Sequence, residues 1–220
     1  MSPREGLVVV VPRGYDWAGI PAILEAHGHW IARTSAEMER RRPLVDSAES
    51  LVLPETVNLR FVSEEWLVDY RPGGNGSATV QAREAAGLTV RVSGNIADDA
   101  ACRAALTRWV MRKGRDLLVP AAEELARAHG FRVGRVSIRQ QRTRWGSCSR
   151  AKGLSLNVKL LFLPRDIVEY VLLHELCHTV ELNHSPRFWA LMESLDPGYR
   201  RKRKLLKTAG DQVPGWMPDL

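Results

Sequence analysis

Between Pro164 and Val180 the chain is apolar almost all the way round a helix: Ile167, Val168, Val171, Leu172, Leu173, Leu176 and Val180 leave hardly any face for water. Such a helix belongs in a protein core. Yet it contains His174-Glu175-Leu176-Cys177-His178, and buried polar groups without partners cost about 1–3 kcal/mol each. The segment therefore predicts a fold built around one central helix and a ligand that satisfies its polar side chains.

A four-residue step turns the two imidazoles by about 40° and separates them by about 6 Å along the axis, so both face one way. Neutral imidazoles at this spacing suit Zn²⁺, and Glu175 beside them is placed to act on a water activated by the metal. A catalytic zinc takes three protein ligands, and His184 is the expected third. On an unbroken helix His184 would lie roughly 80° round and about 15 Å along from His174, so the helix must stop first. Asn183 suits the left-handed conformation that ends a helix, and Ser185-Pro186 starts the next one. The spacing matches HExxHxxGxxH, with Glu181 in the place of the turn-making glycine. Glu193 and Cys148 are the alternatives for the third position. Cys177 points away from its flanking histidines and reads as core. His27, His29 and His129 lack ligand spacing.

Elsewhere the periodicity predicts an α+β protein. Leu7 to Val11 reads as a short strand, and Asp16 as the cap of a helix that pauses at Gly28 and ends at Pro43. Strand-like runs follow at Thr56 to Val62, Trp66 to Tyr70 and Leu88 to Val92, with a glycine-rich loop at 73–77. Asp98 or Asp99 caps a long helix that must kink or restart near Pro120 and ends at His129-Gly130. Residues 135–145 and 154–160 read as the two strands of a hairpin whose turn is 146–153. Short amphipathic helices are expected over 186–195 and 198–207. The Pro- and Gly-punctuated tail after them is compatible with disorder. These elements divide into an N-terminal α/β portion (1–97), a helical connector with the catalytic part (98–209) and a tail (210–220).

Composition narrows the function classes. No apolar stretch approaches the ~20 residues of a membrane helix, and the N-terminus lacks the pattern of a secretory signal, so a cytoplasmic location and no membrane contact are expected. Three widely spaced cysteines make no disulfide framework. The net charge of +7 favours acidic partners without naming one. Two features localise that charge: a stretch without acids between Glu124 and Asp166, and the run Arg200-Arg-Lys-Arg-Lys204. Both fit a solvated surface or a phosphate-binding one. The oligomeric state is not encoded in any pattern here.

Arg144-Trp-Gly-Ser-Cys-Ser149, Leu156-Asn157, Pro164, Tyr170-Val171, the HELCH segment, Asn183-His184-Ser185-Pro186 and Phe188-Trp189, in that order, resemble the YgjP-like zinc metallopeptidases, relatives of the SprT and WLM groups. The similarity is continuous from about residue 100 to 207 and weaker before it. The resemblance implies a zincin-like catalytic domain, a β-hairpin or sheet plus the HExxH helix. It also implies zinc on His174, His178 and His184, with Glu175 as general base, the set that the spacing gives independently. It further implies that the strand through Arg142 to Trp145 borders the cleft, where an extended polypeptide substrate adds as a further strand. Tyr199 and Arg144 are the two side chains considered for stabilising the oxyanion. The expected activity is zinc-dependent hydrolysis of peptide bonds. The alternative is a basic nucleic-acid-binding module with a structural zinc and little or no proteolysis.

Overall fold

The computed structural model describes residues 7, 9, 11, 14–45, 52–73 and 79–218, with side chains described for 14–36 in the first long stretch. Two units divide at 52/53. In the first, the Asp16 carboxylate accepts a hydrogen bond from the Ala18 amide and caps a 3-10 turn, Trp17–Gly19. Helix α1 (Ile20–Ala26) follows, ends at His27, and gives way to α2 (Gly28–Val45). The pause at Gly28 is therefore real, while α2 passes Pro43 by two residues. The strand expected at Leu7 to Val11 and the glycine-rich loop lie largely outside the described residues.

The second unit begins with a four-stranded sheet in the order β1-β2-β4-β3: β1 (Thr56–Leu59), β2 (Glu64–Pro72), β3 (Gln81–Ala85) and β4 (Thr89–Gly94). Strands β2 and β4 run parallel, and the outer pairs are antiparallel. This sheet shares a compact unit with the rest of residues 53–220. Strand β3 had no sequence signal because Gln-Ala-Arg-Glu-Ala alternates weakly.

Helix α3 (Asp99–Ala128) covers this sheet. Asp98 caps it by accepting from the Ala101 amide, and it runs through Pro120 as one element. Arg108 and Arg112, one turn apart, donate to the carbonyls of Val80 and Ala82 and so clamp the helix along β3. Trp109 packs edge-on against Trp66 at 5.3 Å between centroids, and its indole N–H donates to Glu84. Gly114 lets α3 approach what lies beneath it: a Cβ there would fall 2.9 Å from Val158 Cγ2 and 3.1 Å from Ile138 Cγ2.

The next sheet corrects the expected hairpin. Its order is β5-β7-β6, with β5 (Val136–Arg139) parallel to β7 (Leu154–Asn157) and β6 (Gly146–Cys148) antiparallel to β7. Gly-Ser-Cys carries no alternation, so a three-residue strand was hidden inside the expected turn. The actual turn is tighter: Lys152 sits at φ +61°, and Ser149 Oγ accepts from the Gly153 amide. Buried Asn157 ties the preceding loop down, its amide nitrogen donating to the carbonyls of Gln141 and Arg144, at 2.8 Å each, and its oxygen accepting from the Lys159 amide.

After a buried 3-10 turn (Val158–Phe162), helix α4 (Arg165–Cys177) enters the core as its composition demands. It stops three residues earlier than the apolar run, which leaves Val180 61% exposed. Helices α5 (Pro186–Leu195) and α6 (Tyr199–Leu206) pack against α4. The tail is packed rather than loose. Trp216 and Met217 are buried, Trp216 meets Phe162 edge-on, and Gln140 donates to the Pro218 carbonyl. No helix among the described residues is long and apolar enough to cross a membrane.

Candidate metal centre

Helix α4 places His174 and Glu175 on its last turn, with His178 as its C-cap residue. The chain then doubles back. The amides of Val180 and Glu181 both donate to Cys177 O, and Ser185 N donates to Asn183 O at 2.7 Å. Asn183 is not left-handed, since the positive-φ residues other than glycine are Ser63, Leu88 and Lys152 among the described residues. The reversal comes instead from these backbone bonds and from Ser185, whose hydroxyl caps α5 by accepting from the Phe188 amide.

The reversal carries His184 back to the helix it left. His184 Nε2 lies 2.9 Å from His174 Nε2 and 3.2 Å from His178 Nε2. One ligand atom from each of the three residues lies within 4.8 Å of the others. Nitrogens placed tetrahedrally about one zinc at 2.0–2.1 Å would be about 3.3 Å apart, so the donor spacing fits a metal. The tautomer fits as well. A carbonyl can only accept, so His178 Nδ1 must be the protonated nitrogen that donates to Glu181 O at 3.0 Å, leaving Nε2 with its lone pair free. The residue in the expected glycine position thus serves through its backbone oxygen.

Burial disfavours protonation of two of these rings. Burial pushes His174 down to about 3, helped by the neighbouring His178 and His184 and by Arg203. His184 is lowered too, by burial first, then by His178 and Arg203. An imidazole that stays unprotonated is one that can ligate. His174 Nδ1 is buried without a partner among the described residues, an expense of the kind found where function overrides stability.

Glu175 is buried, and its carboxyl is raised from 4.5 to about 7 by that burial, with Arg144 pulling the other way. Gly146 of β6 makes room for it: a Cβ at 146 would fall 2.7 Å from Glu175 Cγ and 2.8 Å from Oε1. The strand against Glu175 is therefore β6 itself, which begins two residues beyond Arg144, and it is an edge strand.

The alternatives for the third position stay outside the histidine group. Glu193 is exposed and pairs with Arg200 at 3.4 Å. Cys148 donates to Ser149 O, and burial followed by the charge of Glu175 raises its thiol. Cys177 is fully buried in the core. Tyr199 is buried, and its hydroxyl accepts from Arg200 Nε. His27 donates to Ile23 O within α1, and His129 caps α3.

Sequence spacing missed the packing shell. Phe188 lies 4.6–4.9 Å from all three imidazole centroids, and Trp189 stacks on His184 at 5.4 Å and 20°. Their placement on the first turn of α5, directly after the capping Ser185-Pro186, is the signal that identifies them once the reversal is known.

The profile of the family described as "YgjP-like, metallopeptidase domain" matches residues 1–209. No curated protein and no solved structure shows a significant match to the chain.

Proposed function

The chain belongs to the YgjP-like metallopeptidase family, and from that membership we propose that it hydrolyses peptide bonds with zinc held by His174, His178 and His184 and with Glu175 as general base. The observation that carries this reading is the convergence of three imidazole nitrogens, with the next residue along the helix from the first a buried carboxyl raised to about 7. When bound, zinc supplies Lewis acidity, polarising a peptide carbonyl and making water a better nucleophile at neutral pH.

The protein's own groups do the rest. A carboxyl whose pKa lies near the working pH can take a proton and give it back with little penalty in either direction. Glu175 Oε therefore accepts the proton of the attacking water and delivers it to the leaving amine. The free edge of β6 offers main-chain donors and acceptors to an extended polypeptide, which would add as a neighbouring strand and lie along Glu175. The proposed division into parts follows the chemistry: α4, α5 and β6 carry the site, and α3 with the four-stranded sheet supports them.

The nucleic-acid alternative gains no comparable observation. Part of the basic run is engaged internally, Arg200 with Glu193 and Lys202 with Asp196. The test of the peptidase reading is Glu175→Gln in zinc-loaded protein. Retained zinc with loss of cleavage of an unfolded polypeptide is expected. Undiminished cleavage would reject the role of Glu175.

A further inference from the structure

Helix α6 spends its cations unevenly. Arg200 is tied to Glu193 and to the Tyr199 hydroxyl, and Lys202 to Asp196 at 2.9 Å. Arg203 has no carboxylate within ion-pairing distance among the described residues. It nevertheless occupies the inner stripe of the helix: Tyr199, Lys202, Arg203 and Leu206 follow the i, i+3, i+4, i+7 spacing, with Tyr199 buried and Lys202 and Leu206 half-buried. Arg203 is exposed, as Arg201 and Lys204 are; what sets it apart is the ring it lies over.

Its guanidinium is held over the Trp189 ring, 4.5 Å from the centroid. That ring stacks on His184 and lies 6.1 Å from His174. Arg203 therefore stands one side chain away from two of the three imidazoles. Placing a permanent cation beside a site for a divalent cation opposes metal binding unless an anion answers it.

Building on the peptidase reading, we propose that Arg203 is a specificity-determining residue that binds a carboxylate of the polypeptide substrate beside the three histidines. A planar guanidinium offers a carboxylate two parallel hydrogen bonds, and its stacking on Trp189 lowers the entropy lost when those bonds form. The carboxylate has two sources, an acidic side chain near the scissile bond or the α-carboxylate of a chain end.

Binding rather than turnover tests this. Zinc-loaded Glu175→Gln protein is titrated with two pairs of fluorescent peptides. One pair is blocked at both ends and carries Glu or Gln. The other has no acidic side chain and ends in a free carboxylate or an amide. In at least one pair the carboxylate peptide is expected to bind roughly tenfold tighter or more than its neutral match. Which pair shows it identifies the source. Arg203→Ala added to this background should bring the ratio close to one, Arg203→Lys should keep a reduced preference, and Arg203→Glu should favour a Lys peptide over the Glu one. Zinc content and near-ultraviolet circular dichroism are measured for every variant, and the Lys and Glu variants decide the matter if the Ala variant fails to fold. Equal binding within both pairs, or a ratio that survives Arg203→Ala, overturns the proposal. The peptidase reading fails separately, if zinc-loaded wild-type protein cuts no peptide while Arg203-dependent carboxylate binding persists.

Discussion

Glu175→Gln should stabilise the metal-free protein while it disables catalysis. Glu175 is buried, and its carboxyl moves from an ordinary 4.5 to about 7 on folding. Below pH 4.5 the folded and unfolded chains both carry its proton, and no penalty exists. Between 4.5 and 7 the unfolded chain ionises first, so stability falls as pH rises. Above 7 the full penalty is present, about 3 kcal/mol for this displacement. Glutamine has nearly the same shape and cannot ionise. The stability difference between variant and wild type should therefore widen by about 3 kcal/mol from pH 4 to pH 8. His174 acts with the opposite sign: lowered from 6.5 to about 3, it costs stability as pH falls through that interval. It is common to both proteins and cancels to first order in the difference. Urea unfolding of EDTA-treated proteins at several pH values, followed by tryptophan fluorescence, measures the quantity. A difference that does not change with pH would refute the claim that burial of an ionisable carboxyl shapes this site.

Further outcomes follow from the same geometry. Gly146→Ala should push the Glu175 carboxyl from its position and lower kcat by about 10–100-fold with zinc content unchanged, as assayed by steady-state cleavage and metal analysis. Asn157→Ala strands two carbonyls and one amide that its side chain now satisfies, so it should cost about 2–4 kcal/mol in denaturant unfolding. Zinc added to the stripped protein at about 100 times its dissociation constant should raise stability by about 2.7 kcal/mol, read as a shift in the unfolding midpoint. Because burial keeps His174 neutral well below 6.5, zinc should be retained at lower pH than an exposed three-histidine site would allow, which a zinc-release titration measures.

The two ends of the active-site reversal were legible in the sequence for different reasons. Apolar residues on every face told that α4 is buried, and the four-residue histidine step told which way the rings point. The need for the helix to stop before His184 followed from helix geometry alone. How it stops did not, because Asn183 and Glu181 act through backbone atoms that residue type does not report. The pairing of β5, β6 and β7 was hidden for a related reason: Gly146–Cys148 is too short to show alternation, and its place is set by Asn157 and by the room Glu175 needs. Trp216 and Met217 pack although no periodicity announces them, since a lone aromatic in a Pro-rich tail has no pattern to belong to. Arg203 was legible only as one of five adjacent cations, and the stack of His184 on Trp189 singles it out.

Zinc K-edge X-ray absorption on the loaded protein and on His184→Ala reads the coordination itself. The account predicts three imidazole nitrogens at about 2.0–2.1 Å in the native protein and two in the variant. A sulfur at about 2.3 Å, or an imidazole count that the substitution leaves untouched, would contradict it.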